Sequence, residues 1–375
     1  MMAGKPRTSI WRLVIFALLP LAIGWLAMEG LALAYFLIGP SSRAPRPQLL
    51  YQPHPYSIYT LAPNRTDESR RRSHNSHGLR GLDFSAQKPP ATVRILCLGG
   101  STTYSDGATT DGHTYPAHLE RFLREHYTRA PFSIEVINAG LPGYTSLESL
   151  ILFQTRLLDF SPDVAILHNC LNDAWMAVNF RTFASDYSHG RHTLGPLAPH
   201  KWEYSPLLSL LFARATTPFN PYAPNRAVDL IGLIHERWGE TPPPDALSRG
   251  EPAQRCADAL GRNALSFVAV ARGNGVIPVL STMTCYDDRG LYAEVMTACN
   301  DRIRAIAASP PYGALVTLVD LARKMPWNPR AFYDICHLRD RPEGLEQKGK
   351  IFADALIREG IVERAGRSPT VNAER

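Results

Sequence analysis

Five short apolar runs, separated by stretches of helical periodicity, constrain this chain more than any other feature of its sequence. Val93 to Leu98 (VRILCL) ends in Gly99-Gly100, the pattern of a buried strand feeding a tight turn. Ile134 to Ile137, Val164 to Leu167, Val276 to Leu280 and Leu315 to Val319 read as four more strands. Between them, His113 to His126 places Tyr115, Leu119, Phe122 and Leu123 at helical spacing, and Leu147 to Phe160, Cys256 to Arg272, Ala293 to Ala308 and Glu343 to Arg358 read as further helices. Strands alternating with helices of this length form βαβ units, so the expected class is α/β, with a mainly parallel sheet covered on both faces. Sites in such sheets form at the carboxyl ends of the strands.

The alternation lapses twice. Residues 39–90 are rich in Pro, Arg, Ser and Asn with little periodicity, which predicts a linker and an extended lead-in. About 174–251 the prolines recur (Pro196, Pro199, Pro206, Pro218, Pro221, Pro224, Pro242 to Pro244), which predicts an insertion, either a cap over the site or a surface decoration. The ordered domain is expected over 91–360, with 361–375 as a C-terminal tail.

Ahead of all this, Leu13 to Ile38 is an apolar run of about 26 residues, which at ~1.5 Å per residue exceeds the ~30 Å hydrocarbon thickness. Residues 13–38 are therefore expected to form one transmembrane anchor. Lys5, Arg7 and Arg12 precede it while Arg43 and Arg46 follow, a bias that favours a cytoplasmic 1–12 and an extracytoplasmic domain. Ala32-Leu33-Ala34 resembles a signal-peptide cleavage site, so a cleaved leader competes with the anchor; the length of the run favours the anchor. Glu29 is the discordant residue, because a carboxylate at that depth costs ~2.5 kcal/mol or more unless protonated, paired or near an interface. It marks either a helix partner or proximity to the far interface.

The net charge of +6 raises the question of a polyanionic partner. The arginines are scattered, apart from Arg70 to Arg72, and no nucleic-acid-binding motif accompanies them, so no nucleic acid is expected. The six cysteines form no CxxC pair and no Cys/His zinc spacing, so neither metal nor cofactor is expected; Cys256, Cys285 and Cys299 could pair if the domain lies outside the cytoplasm.

Chemistry concentrates at the predicted strand ends. Gly99-Gly100-Ser101-Thr102-Thr103 puts a hydroxyl directly after a strand and before a helix, near backbone N–H groups and a positive helix terminus; the same pattern also serves as a plain helix cap. Asp334-Ile335-Cys336-His337 spaces a carboxylate and an imidazole three residues apart. That separation lets the carboxylate accept the Nδ1 proton while Nε2 faces a serine, although structural polar residues share it. Asn138 to Tyr144 (NAGLPGY) follows the second strand and Asn172-Asp173 the third; a glycine N–H and an asparagine amide there could hold a tetrahedral oxyanion, or could be turn residues.

The ordered set GGSTT, NAGLPGYTS, LND and DICH resembles the four blocks of the SGNH (GDSL-like) hydrolases, over Val93 to Arg358 apart from the insertion. HNSHGLRG before the core is similar to lead-in sequences of membrane-associated bacterial members. The resemblance implies a three-layer α/β/α, flavodoxin-like domain with Ser101 as nucleophile, His337 as general base and Asp334 as its orienter. The amides of Ser101 and Gly143 with the Asn172 side chain form its implied oxyanion hole. Two departures stand out: Gly100 replaces the aspartate of the GDS form, and Cys170 stands where a glycine is usual, beside Asn172.

The expected reaction is ester hydrolysis through an acyl-enzyme, on O-acetyl or other short acyl esters of envelope or extracellular carbohydrate. Three other readings remain open. One is acyl transfer to a sugar, and another is lipid hydrolysis, suggested by the anchor and by Trp202, Leu207, Leu208, Leu210, Leu211 and Phe212 in the insertion; the last is a non-catalytic envelope scaffold.

Overall fold

The strand Thr92–Gly99 lies within a parallel sheet and is buried on both faces, which is why its sequence from Val93 to Leu98 is apolar on both faces apart from Arg94 rather than alternating. We describe a computed structural model, covering residues 10–38, 50–67, 71–180, 183–188, 201–212, 251–284 and 290–367. These residues divide into two units.

The smaller unit contains α1 (Ile10–Ile38) and a part of the insertion. α1 is long and apolar enough to cross a membrane, with a mean hydropathy of 2.0 over Val14–Ile38, a property shared by membrane spans and signal sequences. Glu29 has a partner. Its carboxylate accepts from the Ser205 hydroxyl and, at 3.0 Å, from the Leu207 N–H at the start of a short helix, Pro206–Leu211. The described segment Lys201 to Phe212 of the insertion thus packs on α1; residues 181–182, 189–200 and 213–250 of the insertion lie outside the described residues.

The larger unit begins with two hairpins, β1 (Tyr51–His54) with β2 (Ile58–Leu61) and β3 (Arg65–Asp67) with β4 (Arg72–His74). The expected extended lead-in is thus paired into hairpins, and tertiary contacts hold it. Arg80, fully buried, donates to the carbonyls of Tyr104 at 2.7 Å and Ser105 at 2.9 Å and pairs with Asp111.

Next come β5 (Thr92–Gly99), α2 (Ser101–Tyr104), α3 (Tyr115–His126), β6 (Ser133–Gly140), α4 (Ser146–Thr155), β7 (Val164–His168) and α5 (Leu171–Val178). In our numbering α6 is Pro206–Leu211 of the smaller unit, followed by α7 (Glu251–Gly273), β8 (Ile277–Ser281), α8 (Leu291–Ala308), β9 (Thr317–Val319), α9 (Leu321–Lys324), α10 (Gln347–Arg358) and α11 (Ile361–Arg367). The last corrects the expected tail: Ile361 and Val362 are fully buried, so the packed domain runs to Arg367.

The sheet order is β6-β5-β7-β8-β9, all parallel. Val93, Ile95 and Cys97 of β5 pack in one cluster with Leu119 and Leu123 of α3, Phe352 of α10 and Ile361 of α11. On the other face α4, α5, α7 and α8 pack together, with the Phe153 and Phe267 rings 5.0 Å apart. The result is the three-layer α/β/α architecture. Because the chain runs outward from β5 to β6 and then returns to β7 on the other side, the order reverses between β5 and β7, and a crevice opens at their carboxyl ends.

Candidate active site

Ser101 stands where that crevice opens, as the first residue of α2, separated from β5 by Gly100 alone. The turn can be this tight because Gly100 has no side chain: a Cβ there would lie 2.5 Å from the Asn172 Nδ2 and 3.1 Å from the Tyr144 carbonyl. The departure from the GDS form therefore makes room for Asn172. Below the turn, Lys348 of α10 is buried and donates to the Thr102 carbonyl at 2.9 Å and to the His168 Nε2 at 3.0 Å. Burial lowers the Lys348 amine to about 7, and burial together with the lysine charge holds His168 well below the ordinary histidine range.

His337 arrives on the loop after β9 and α9. Its Nε2 accepts from the Ser101 hydroxyl at 2.6 Å, and its Nδ1–H donates to the Asp334 carboxylate at 2.6 Å. The three-residue spacing works because the same carboxylate also accepts the N–H groups of Cys336 at 2.9 Å and His337 at 2.7 Å, closing the turn on itself. Burial raises the Asp334 carboxyl, but the bonds from His337 and the Cys336 N–H outweigh it and leave the group below the usual aspartate value. Asp334 is thus an anion at neutral pH, fixing the tautomer that leaves Nε2 as an acceptor. The Tyr333 ring stacks on the imidazole, 5.6 Å between centroids at 13°.

Gly143 lies in the turn after β6 with φ +82, where a Cβ would meet the Tyr59 hydroxyl at 2.3 Å. Tyr59, from β2, donates to the Pro142 carbonyl at 2.5 Å, and the Tyr144 hydroxyl returns a bond to the Tyr59 carbonyl at 2.6 Å. The first hairpin therefore braces the Gly143 turn. Asn172 opens α5 after β7, and its amide donates to the Tyr144 carbonyl at 2.8 Å, which leaves a second hydrogen on the same nitrogen. Beside it, fully buried Asp173 accepts from the Ser146 N–H and hydroxyl and from the Tyr187 hydroxyl at 2.7 Å; burial, opposed by these bonds, raises its carboxyl to about 7. Cys170 is buried and directs its sulfur to the Met296 carbonyl, 3.9 Å away in α8.

The structure brings Ser101, His337 and Asp334 into one hydrogen-bonded chain, with Gly143 and Asn172 on the adjoining strand ends. Sequence reasoning missed Tyr59, Lys348 and Tyr333, and gave Asp173 no role of its own. Only Lys348 left a signal: with Ile351, Phe352 and Ala355 it lies at the i, i+3, i+4, i+7 spacing of a buried helix face.

Asp334, Cys336 and His337 bring an oxygen, a sulfur and a nitrogen within 4.8 Å of one another. A cation there would have to take the Nδ1 position that the Asp334 bond occupies, so it would compete with the relay. Cys256 and Cys299 are free thiols with sulfurs 3.5 Å apart; Cys285 lies outside the described residues.

The chain resembles several solved structures at low identity. A GDSL-like lipase from Bacteroides thetaiotaomicron is 13% identical (72% of this chain, 88% of that one, TM-score 0.36). A lipase from a goat rumen metagenome is 11% identical (70% and 97%, TM-score 0.44). An acetylxylan esterase from Geobacillus stearothermophilus is 14% identical (75% and 97%, TM-score 0.40). Among curated proteins none matches the chain. The model of the GDSL-like lipase/acylhydrolase family matches residues 97–341, from the middle of β5 to just past the His337 loop, and the chain belongs to that family.

Proposed function

We propose that this protein is a membrane-tethered serine esterase of the SGNH type that cleaves O-acetyl or other short acyl esters of envelope or extracellular carbohydrate. The observation that carries the reading is the unbroken chain Ser101 Oγ, His337 Nε2, His337 Nδ1, Asp334 Oδ2, with both contacts at 2.6 Å.

In this reading His337 takes the Ser101 proton as Oγ bonds to the ester carbonyl carbon. The amides of Ser101 and Gly143 and the free hydrogen of the Asn172 amide hold the oxyanion. Collapse breaks the bond to the alcohol, which leaves with the proton from His337. Water, deprotonated by the same imidazole, then attacks the acyl-enzyme and releases the acid and Ser101. Asp334 stays ionised throughout and holds the imidazolium. The substrate class draws on α1: Lys5, Arg7 and Arg12 before it against Arg43 and Arg46 after it give a small positive-inside bias that favours an extracytoplasmic enzyme domain.

The test is a panel of 4-nitrophenyl esters of graded acyl length and O-acetylated sugars, given to the full-length chain in detergent. The expected result is a preference for acetyl, with turnover reduced ~10³-fold or more in Ser101→Ala. Preference for long acyl chains would move the substrate to lipid, and undiminished turnover in Ser101→Ala would refute the mechanism. If added sugar becomes acetylated at the expense of free acetate, the enzyme is a transferase.

A further inference from the structure

Beside the His337 loop is a cavity of about 460 Å³ whose walls carry three guanidinium groups, from Arg72, Arg339 and Arg341. The Tyr333 ring, stacked on His337, forms part of the same wall. Two carboxylates also line it, but both are engaged. Asp106 pairs with Arg72 at 2.6 Å, while Asp340 accepts from the Thr109 N–H at 2.9 Å, from the Thr109 hydroxyl and from His113 at 2.8 Å. Neither of the two remaining arginines forms an ion pair among the described residues, and with Asp340 as the one other anion the wall keeps a net positive charge. Arg339 uses only its Nε, on the Phe332 carbonyl at 3.0 Å, and its two terminal nitrogens have no acceptor among the described residues. Arg341 is exposed, and its side chain has no partner among the described residues. A concave site with two open guanidinium forks recognises planar or tetrahedral oxyanions by paired, charge-assisted hydrogen bonds.

The residues around the cavity bear on which half of a substrate would meet it. In the esterase reading, the acyl carbonyl oxygen points to Gly143 and Asn172, whereas Nε2 of His337 returns its proton to the departing alcohol. The cavity is built from chain neighbours of His337, namely Tyr333, Arg339, Asp340 and Arg341, with Arg72 and the segment after α2; its link to the relay is the Tyr333 ring stacked on the imidazole that serves the alcohol. We propose that it binds the anionic group of an acidic carbohydrate, a uronate carboxylate or a sugar phosphate, on the alcohol half of the ester. The proposal rests on the esterase reading of the same site and narrows its substrate to acylated acidic sugars.

The experiment holds the acyl group constant and changes only the charge of the alcohol. The full-length chain in detergent is given acetylated methyl glucuronoside and acetylated methyl glucoside phosphate, each against acetylated methyl glucoside. The expected kcat/KM ratio, acidic over neutral, is about tenfold or more for at least one acidic ester, shrinking as salt is raised. The arm with the larger ratio identifies carboxylate or phosphate. In Arg341→Gln, at an exposed position, and in Arg339→Gln the ratio falls toward one through a rise in KM for the acidic ester; Arg339→Lys recovers part of it. Equal rates on acidic and neutral esters, with the neutral ester turned over, would overturn the proposal and leave the esterase reading intact. So would a ratio that both glutamine variants leave unchanged. No turnover of any acetyl ester would remove both.

Discussion

The Tyr59 hydroxyl donates to the Pro142 carbonyl at 2.5 Å across 83 residues of sequence, so a strand outside the central sheet fixes the turn that presents the Gly143 N–H. Removing that hydroxyl leaves a buried carbonyl unpaired, at a cost of ~1–3 kcal/mol, and frees the turn to move. Tyr59→Phe is expected to lower kcat about tenfold with KM little changed, because the oxyanion donor matters most in the transition state. Steady-state kinetics on acetyl esters decide it: a rise in KM at constant kcat would assign Tyr59 to substrate binding instead.

Gly100 and Asn172 are matched in the same way. A Cβ at residue 100 would overlap the Asn172 amide nitrogen, so restoring the family's aspartate by Gly100→Asp must displace Asn172. Turnover is expected to fall ~10²-fold in a variant that folds, the loss that accompanies removal of one oxyanion donor. Circular dichroism beside kinetics separates the effects; wild-type turnover would mean that Asn172 is not a donor.

Lys348 predicts a pH dependence of stability. Its folded value is about 7 against an ordinary 10.5, so between these limits the unfolded chain holds more protons than the folded one. The stability contributed by this position is therefore complete above pH 10.5, is lost as pH falls toward 7, and is constant below. Relative to Lys348→Met, the wild type should gain at most about 1.4 kcal/mol per pH unit across that window. Unfolding midpoints of both chains at pH 6, 8 and 10 test this; a difference independent of pH would mean that Lys348 is buried as a cation.

The central sheet was legible because its inner strands are buried on both faces and its edge strands largely so, and each therefore carries a short, mostly apolar signal bounded by turns. The Asp334 and His337 pair was legible for a different reason: their bond closes within one turn and leaves its spacing in the sequence. The first hairpin left no such trace. YQPHPYSIYTL carries two prolines and little alternation, and it is held by hydroxyl-to-carbonyl bonds from Tyr59 and Tyr144 to chain far away. Nor does α5 show a period, since eight residues give barely two turns and its first turn carries Asn172 and Asp173. Its place is set by buried Asp173, which ties it to the start of α4 through Ser146.

The account stands or falls on Ser101 as the nucleophile. Its most direct test is intact-mass and peptide analysis of the full-length chain after reaction with a fluorophosphonate, which traps an activated serine covalently. The account predicts one adduct per chain, on the peptide holding Ser101, lost in Ser101→Ala and greatly slowed in His337→Ala. An adduct on another residue, or labelling at the wild-type rate without His337, would contradict it.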